Sequence, residues 1–242
     1  RVFGVLQRIA LGYCAAALMI HYLKFNTVLR LSILFLVLYQ LILLLFGDSA
    51  YPYNMLTNAG NKLDRWLLGE RHLYHGEGVA FDPEGLLSTL PAIANVTFGY
   101  AAGKWVKENG KTYEGLTKLL LAGIVSVVIA LSWDWVFPIN KKLWTGSFVL
   151  LTVGIDCIIL ALLIYLIDFL KRTRWAYFFE VFGKNPLFIY LLSEIGAILL
   201  FFFPVHISPT ETVSVFNWLY IKIFQPAGNY FGSFLFAISF IM

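Results

Sequence analysis

Four ionisable residues of this sequence stand inside or at the mouths of long apolar runs: Arg8, Glu84, Asp156 and Glu194. A charge among apolar side chains is costly unless it has a partner or faces a wet cavity. Two readings follow. Arg8 pairs with Glu194 or Asp156 as glue between helices, or Arg8, Glu84 and Glu194 line a hydrated cavity. An arginine in such a cavity suits an anionic group, because its guanidinium binds phosphate or carboxylate through two parallel hydrogen bonds. Lys141 and Lys142, in FPINKKLW, are either interfacial lysines or a cationic mouth for a phosphate-bearing cofactor. Around Glu84 lie Asp82 and Pro83, then Ser88, Thr89 and Asn95, with Ser88 and Asn95 seven apart on one helical face.

Membrane-spanning helices must position these groups. Apolar residues make up 60% of the 242 positions, only 13% are charged, and the mean hydropathy is +0.76. A soluble domain carries about twice that share of charge. Six runs approach the length of about 20 residues that a bilayer requires: residues 2–20, 28–46, 85–106, 116–136, 146–169 and 186–203. A seventh begins near residue 230 and is incomplete. The expected fold is an all-α polytopic transmembrane bundle of about seven spans, forming a single transmembrane domain over residues 1–242. Strict alternation, the mark of a membrane β-barrel, is missing from these runs. Stretch 212–224 reads as an interfacial or re-entrant helix. The chain opens at Arg1 and reads as a piece of a longer protein lacking its N-terminal helices.

Basic residues set the orientation. The first, third and fifth connections are short and hold ten Lys and Arg, against six in the longer even connections. The positive-inside rule then places 47–84, 137–145 and 204–229 outside the cytoplasm. Loop 47–84, with Trp66 and Tyr74, is expected to form an ordered cap. The net charge of +4 follows from this topology and signals no nucleic acid. Cys14 and Cys157 lie in apolar runs and suggest no disulfide. His72 and His75 are three apart, but no Cys or carboxylate stands at ligand spacing, so no metal is expected. Asn185–Pro186 is a helix-start signal. Walker, GxSxG and HExxH motifs are absent, and no internal repeat supports an inverted-repeat transporter.

Five segments in order carry a further signal: RVFGVLQRIALGY (1–13), NKLDRWLLGERHLY (61–74), FDPEGLLSTLPAI (81–93), FPINKKLWTGSFVL (137–150) and GKNPLFIY (183–190). Together they resemble the transmembrane acyltransferase family of heparan-α-glucosaminide N-acetyltransferase and its bacterial relatives. The resemblance implies transfer of acetyl from cytoplasmic acetyl-CoA to the amine of a terminal glucosamine-type sugar across the membrane. It implies that the catalytic His lies before the LQR helix, so the main base is expected upstream of Arg1, with Glu84 in support. It places Arg8, Asn140, Lys141 and Lys142 around acetyl-CoA, and Asp82, Glu84 and Glu194 around the acceptor. A family member has His-Glu where this chain has Ser193-Glu194. The expected partners are an amino-sugar or glycan acceptor and the lipid bilayer, with a homo-oligomer left open. The expected location is a bacterial inner membrane. The alternative is a transporter or permease for a small anion or sugar, with Arg8 and Glu194 in its pathway.

Overall fold

The computed structural model describes residues 2–76, 78–110, 112–208 and 211–241, in two compact units divided after Lys171. The first unit contains α1 (Val5–Tyr22), α2 (Phe25–Phe46), α3 (Ala59–Leu68), α4 (Thr89–Asn109), α5 (Tyr113–Asp134) and α6 (Gly146–Ile164), the last extended by a wide π turn at Tyr165–Phe169. The second contains α7 (Ala176–Lys184), α8 (Pro186–Phe202), an antiparallel hairpin of β1 (Pro204–Ser208) and β2 (Glu211–Ser214), α9 (Val215–Leu219) and α10 (Asn229–Ile241).

Among the described residues, α1, α2, α5 and the α6 helix with its π turn are long and apolar enough to cross a membrane. A fifth span results if α7 and α8, bent by 89°, count as one. This is fewer than the seven expected. The run expected at 85–106 begins as a loop, and α4 itself carries Asn95, Thr97, Lys104, Lys107 and Glu108, which keep it out of the apolar set despite its 21 residues. The helix expected at 212–224 is a strand, a short helix and a wide turn in succession. Asn185 does not cap α8; its side-chain amide donates to the Val181 carbonyl and closes α7 instead, while Pro186 takes the first helical position as expected.

In the first unit α4 is central, packing on α1, α2, α5 and α6, and α5 lies along α6. Small residues permit that last contact. A β-carbon on Gly123 would stand 2.8 Å from the Gly154 carbonyl oxygen, and one on Gly154 2.7 Å from that of Gly123. Lipid tails are as apolar as leucine, so close backbone approach of this kind is what holds membrane helices together. Ser32 and Thr97 add a 2.6 Å hydroxyl pair between α2 and α4. At most 33% of any single span is buried inside the protein. The outward apolar side chains, such as Leu6, Ile9, Leu45 and Val128, are those a bilayer would solvate.

Within the segment expected to form a cap, α3 is built by local capping. Asn58 caps α3 by accepting from the Asn61 amide and ties its own side chain back to the Asn54 and Met55 carbonyls. A cluster of Tyr39, Leu43, Ala59 and Phe137 seats the cap on α2 and on the turn leading into α6.

Candidate active site

The segment between α3 and α4 turns back under the cap. Asp82 Oδ1 accepts from the Glu84 amide at 3.2 Å and Asp64 Oδ1 from the Leu86 amide at 3.1 Å, so two carboxylates fix the DPEG turn. The turn exposes two carbonyl oxygens to the first turns of α1. Arg8 takes both: Nη1 donates to Pro83 O at 3.1 Å, and Nη2 to Ser88 O at 3.0 Å and Ser88 Oγ at 3.1 Å. The Arg8 guanidinium also lies 4.2 Å from the centre of the Trp144 ring, a cation–π contact. Glu84 and, further down in influence, Asp82 supply negative charge opposite it. Arg8 is only 7% exposed, and its Nε has no hydrogen-bond partner.

Trp144 arrives from the turn before α6 in a left-handed conformation, φ 55°, which a bulky side chain adopts only where surrounding structure enforces it. Asn140 provides that enforcement. Its Oδ1 accepts from the Lys142 and Leu143 amides, and its own amide donates to Thr145 Oγ1. Tyr39 completes the anchor by donating to the Leu143 carbonyl at 2.6 Å.

These elements enclose a cavity of about 500 Å³ lined by Arg8, Tyr13, Glu84, Asn95, Lys141 and Trp144 among others. The structure gathers Arg8 and Glu84, two of the three groups expected to line one cavity, together with Lys141; the third, Glu194, is not among its lining residues. Its size lies in the range of small-molecule sites, and its wall is mostly apolar with a few convergent polar groups. Asn95 also lines a neighbouring cavity of about 200 Å³ that contains Asp156.

The other expected site residues are placed differently. Asn140 builds the turn and spends its side-chain oxygen on backbone amides. Lys142 and Asp82 line a small separate pocket with Asp64, Asn61 and Tyr39. Asp156 lines the neighbouring cavity rather than the one at Arg8, so the carboxylates around Arg8 are those of the DPEG turn. Glu194 stands exposed on α8 in the second unit. His72 and His75 do not share a helical face; their Nδ1 atoms lie 2.8 and 2.9 Å from the Leu68 and Leu73 carbonyl oxygens. Among the described residues, no group of three or more His, Cys, Asp or Glu could hold a metal ion.

Two important residues carry no signal that singles them out in the sequence. One is Trp144, whose unusual backbone is invisible in a string of letters. The other is Asp64, 2% exposed, whose carboxyl burial pushes up to about 6, with the Leu86 hydrogen bond opposing and Asp82 reinforcing the rise. Its one clue is its place within NKLDRW, a segment of the family resemblance.

Relatives bear on this geometry. Over 168 residues, 62% of this chain, the sequence is 32% identical to heparan-alpha-glucosaminide N-acetyltransferase of Mus musculus. Over 169 residues it is 31% identical to the protein of that name from Homo sapiens. Over that stretch the chain is similar to heparan-alpha-glucosaminide N-acetyltransferase. It spans about a quarter of the length of these curated relatives. No family model matches the chain.

Proposed function

We propose that this chain forms the cavity-bearing part of a membrane-embedded acetyltransferase, which moves acetyl from acetyl-CoA to the amine of a terminal glucosamine-type sugar. One observation carries the reading: Arg8, Glu84 and Lys141, distant in sequence, converge on one cavity of about 500 Å³ at the end of the helices nearest the cap. The relatives' name supplies the reaction class.

In the reaction the sugar amine attacks the thioester carbonyl carbon. A nitrogen–carbon bond forms, the carbon–sulfur bond breaks, and the thiolate leaves as CoA. The attacking nitrogen must lose a proton to a base, and the tetrahedral oxyanion needs positive charge or donors. Lys141 is exposed at the cavity and free of the backbone duties that hold Arg8, so it is the cation offered to the oxyanion or to a cofactor phosphate. Arg8 contributes its field while its guanidinium hydrogens hold the DPEG turn. Glu84 receives the sugar ammonium or a hydroxyl. Among the described residues no histidine lines the cavity, and the main base is assigned to no residue of this chain. Lys142, Asp82 and Asn140 act on the cavity by shaping its walls, and Glu194 remains proposed for the acceptor. We place segments 47–84, 137–145 and 204–229 on the far side of a bacterial inner membrane, where the acceptor would arrive.

A transporter reading draws on the Asn95 side chain, which lines both the main cavity and the one holding Asp156, a polar step along a helix. Purified full-length protein in liposomes, given acetyl-CoA and glucosamine, distinguishes the two. Free thiol release with formation of N-acetylglucosamine supports the enzyme. Sugar or anion flux without thiol release refutes it.

A further inference from the structure

We propose that Asp64 is the positioning residue of this site and that its proton sets how firmly the DPEG turn holds Arg8 and Glu84. The inference rests on the acetyltransferase reading for its functional consequence, while its structural part stands apart from it.

Asp64 touches the turn through both carboxylate oxygens. Oδ1 accepts from the Leu86 amide at 3.1 Å. Oδ2 sits against Gly85, so close that a β-carbon there would collide with it. Pro83, three residues before Leu86, and Ser88, two residues after it, offer the oxygens that Arg8 grips. Asp64 therefore reaches the cavity at second hand, through a turn whose other face is the site.

The pocket behind the turn is lined by Asp64, Asp82, Asn61, Tyr39 and Lys142, with room for about one water molecule at 10 Å³. Asp64 and Asp82 are 2% and 4% exposed. Burial is the main cause that holds the Asp64 carboxyl above its ordinary range, and the charge of Asp82 adds to it. The same wall contains an acceptor in need of a donor: Asn61 Oδ1 is buried without a hydrogen-bond partner. A neutral Asp64 carboxyl has the hydrogen to give, directly or through the single water. Of the other charged groups nearby, Lys142 comes from the turn before α6, the Tyr39 hydroxyl is committed to Leu143, and Arg8 lies beyond Ser88. On α3 itself, Lys62 donates to the Phe46 carbonyl and Arg65 pairs with Glu70 at 3.0 Å. The burial that raises this carboxyl to about 6 puts its proton within the range of ordinary environments. Below that pH the neutral carboxyl closes the network; above it, paired negative charge loosens the turn.

The test uses full-length protein in nanodiscs from pH 4.5 to 7.5, with thermal unfolding and CoA binding as readouts. In the wild type, the melting temperature and CoA affinity should both fall as pH rises through about 6, the affinity by several-fold. Asp64→Asn keeps an acceptor for Leu86 and adds a permanent donor, so both profiles should flatten at their acid values. Asp64→Ala should be weak at every pH. An Asp64→Asn protein that follows the wild-type pH profile in melting overturns the proposal. If the wild type binds no CoA at any pH, the acetyltransferase reading fails, and the melting comparison still decides whether Asp64 holds the turn.

Discussion

Arg8→Ala tests the clamp on which the cavity depends. Truncation removes three hydrogen bonds to Pro83 O, Ser88 O and Ser88 Oγ, and one ring contact with Trp144. A hydrogen bond from a charged group contributes about 1.5–3 kcal/mol, and a cation–π contact about 0.5–1 kcal/mol or more. Against these stands relief of the cost of burying a guanidinium, which removes much of the gross sum. Breaking a buried charged network by deleting one member costs about 3–5 kcal/mol in comparable cases. The Ser88 carbonyl, left with only the long 3.4 Å bond from the Ala92 amide, points to the same range. For a protein of this size, about 3 kcal/mol lowers the melting temperature by roughly 6–12 °C. The assay is thermal unfolding of full-length protein in nanodiscs, with Arg8→Lys alongside. Lysine keeps the charge but presents a point ammonium in place of a planar fork, and it cannot reach two separated carbonyls and a hydroxyl together. Arg8→Lys should therefore recover less than half of the loss. If Arg8→Ala melts within about 2 °C of wild type, the side chain is not the clamp and the cavity is held by something else.

Three further outcomes follow from the same contacts. Gly85→Ala drives a methyl into the Asp64 carboxylate and should destabilise by about 2 kcal/mol or more, read by denaturation; a neutral result would mean the turn can shift freely. Tyr39→Phe strips the donor from the buried Leu143 carbonyl and should cost about 1–3 kcal/mol, with a matching loss of CoA binding if the turn carrying Lys141 and Trp144 relaxes. Lys141→Gln touches an exposed side chain, so melting should move by less than about 0.5 kcal/mol. Its CoA affinity should nevertheless drop by roughly tenfold at low salt and by less at high salt; unchanged affinity would remove Lys141 from the site.

Apolar periodicity and length were enough to locate the helices, because those signals are local. All six full-length runs contain a helix, at Val5–Tyr22, Phe25–Phe46, Thr89–Asn109, Tyr113–Asp134, Gly146–Ile164 and Pro186–Phe202. Fewer helices qualify by length and apolarity than the seven runs suggested, because α4 mixes apolar and polar residues and α8 is 17 residues long. A shared cavity for Arg8 and Glu84 was expected from their cost in a membrane, with Glu194 as its third member; Lys141 stands there instead, a residue that the five-segment resemblance had set beside the cofactor. The partners of Arg8 were not. A buried arginine among helices suggests a carboxylate on another helix, whereas here backbone carbonyls 75 and 80 residues away take its hydrogens. No local pattern encodes that choice, since every residue carries a carbonyl. Asp64 escaped for a related reason. Beside Lys62 and Arg65 it reads as one more charge on a polar helix, and only the fold of the 82–88 turn over α3 reveals that it is buried.

The cavity's chemistry follows from a division of labour between its two kinds of cation. An arginine whose Nη1 and Nη2 already donate to two carbonyls and a hydroxyl cannot also grip a phosphate with that pair, so Arg8 acts on a ligand chiefly through its charge. That charge is not idle, because a buried guanidinium facing a mostly apolar wall is screened far less than one in water. Lys141 has the opposite properties: its side chain is exposed and, among the described residues, makes no side-chain hydrogen bond. A ligand entering the cavity thus meets a fixed positive field and one movable donor, with Glu84 on the other side to prevent indiscriminate capture of anions. On the proposed reaction, a thioester carbonyl that turns negative only during transfer would be matched to such a site better than a permanent anion, which would bind tightly before and after the transfer alike. Inorganic phosphate should accordingly be a poor competitor of CoA, and an acyl analogue with a tetrahedral oxyanion a strong one, measured by displacement of labelled CoA from the full-length protein. Equal competition by phosphate would mean that the cavity is an anion site and no more.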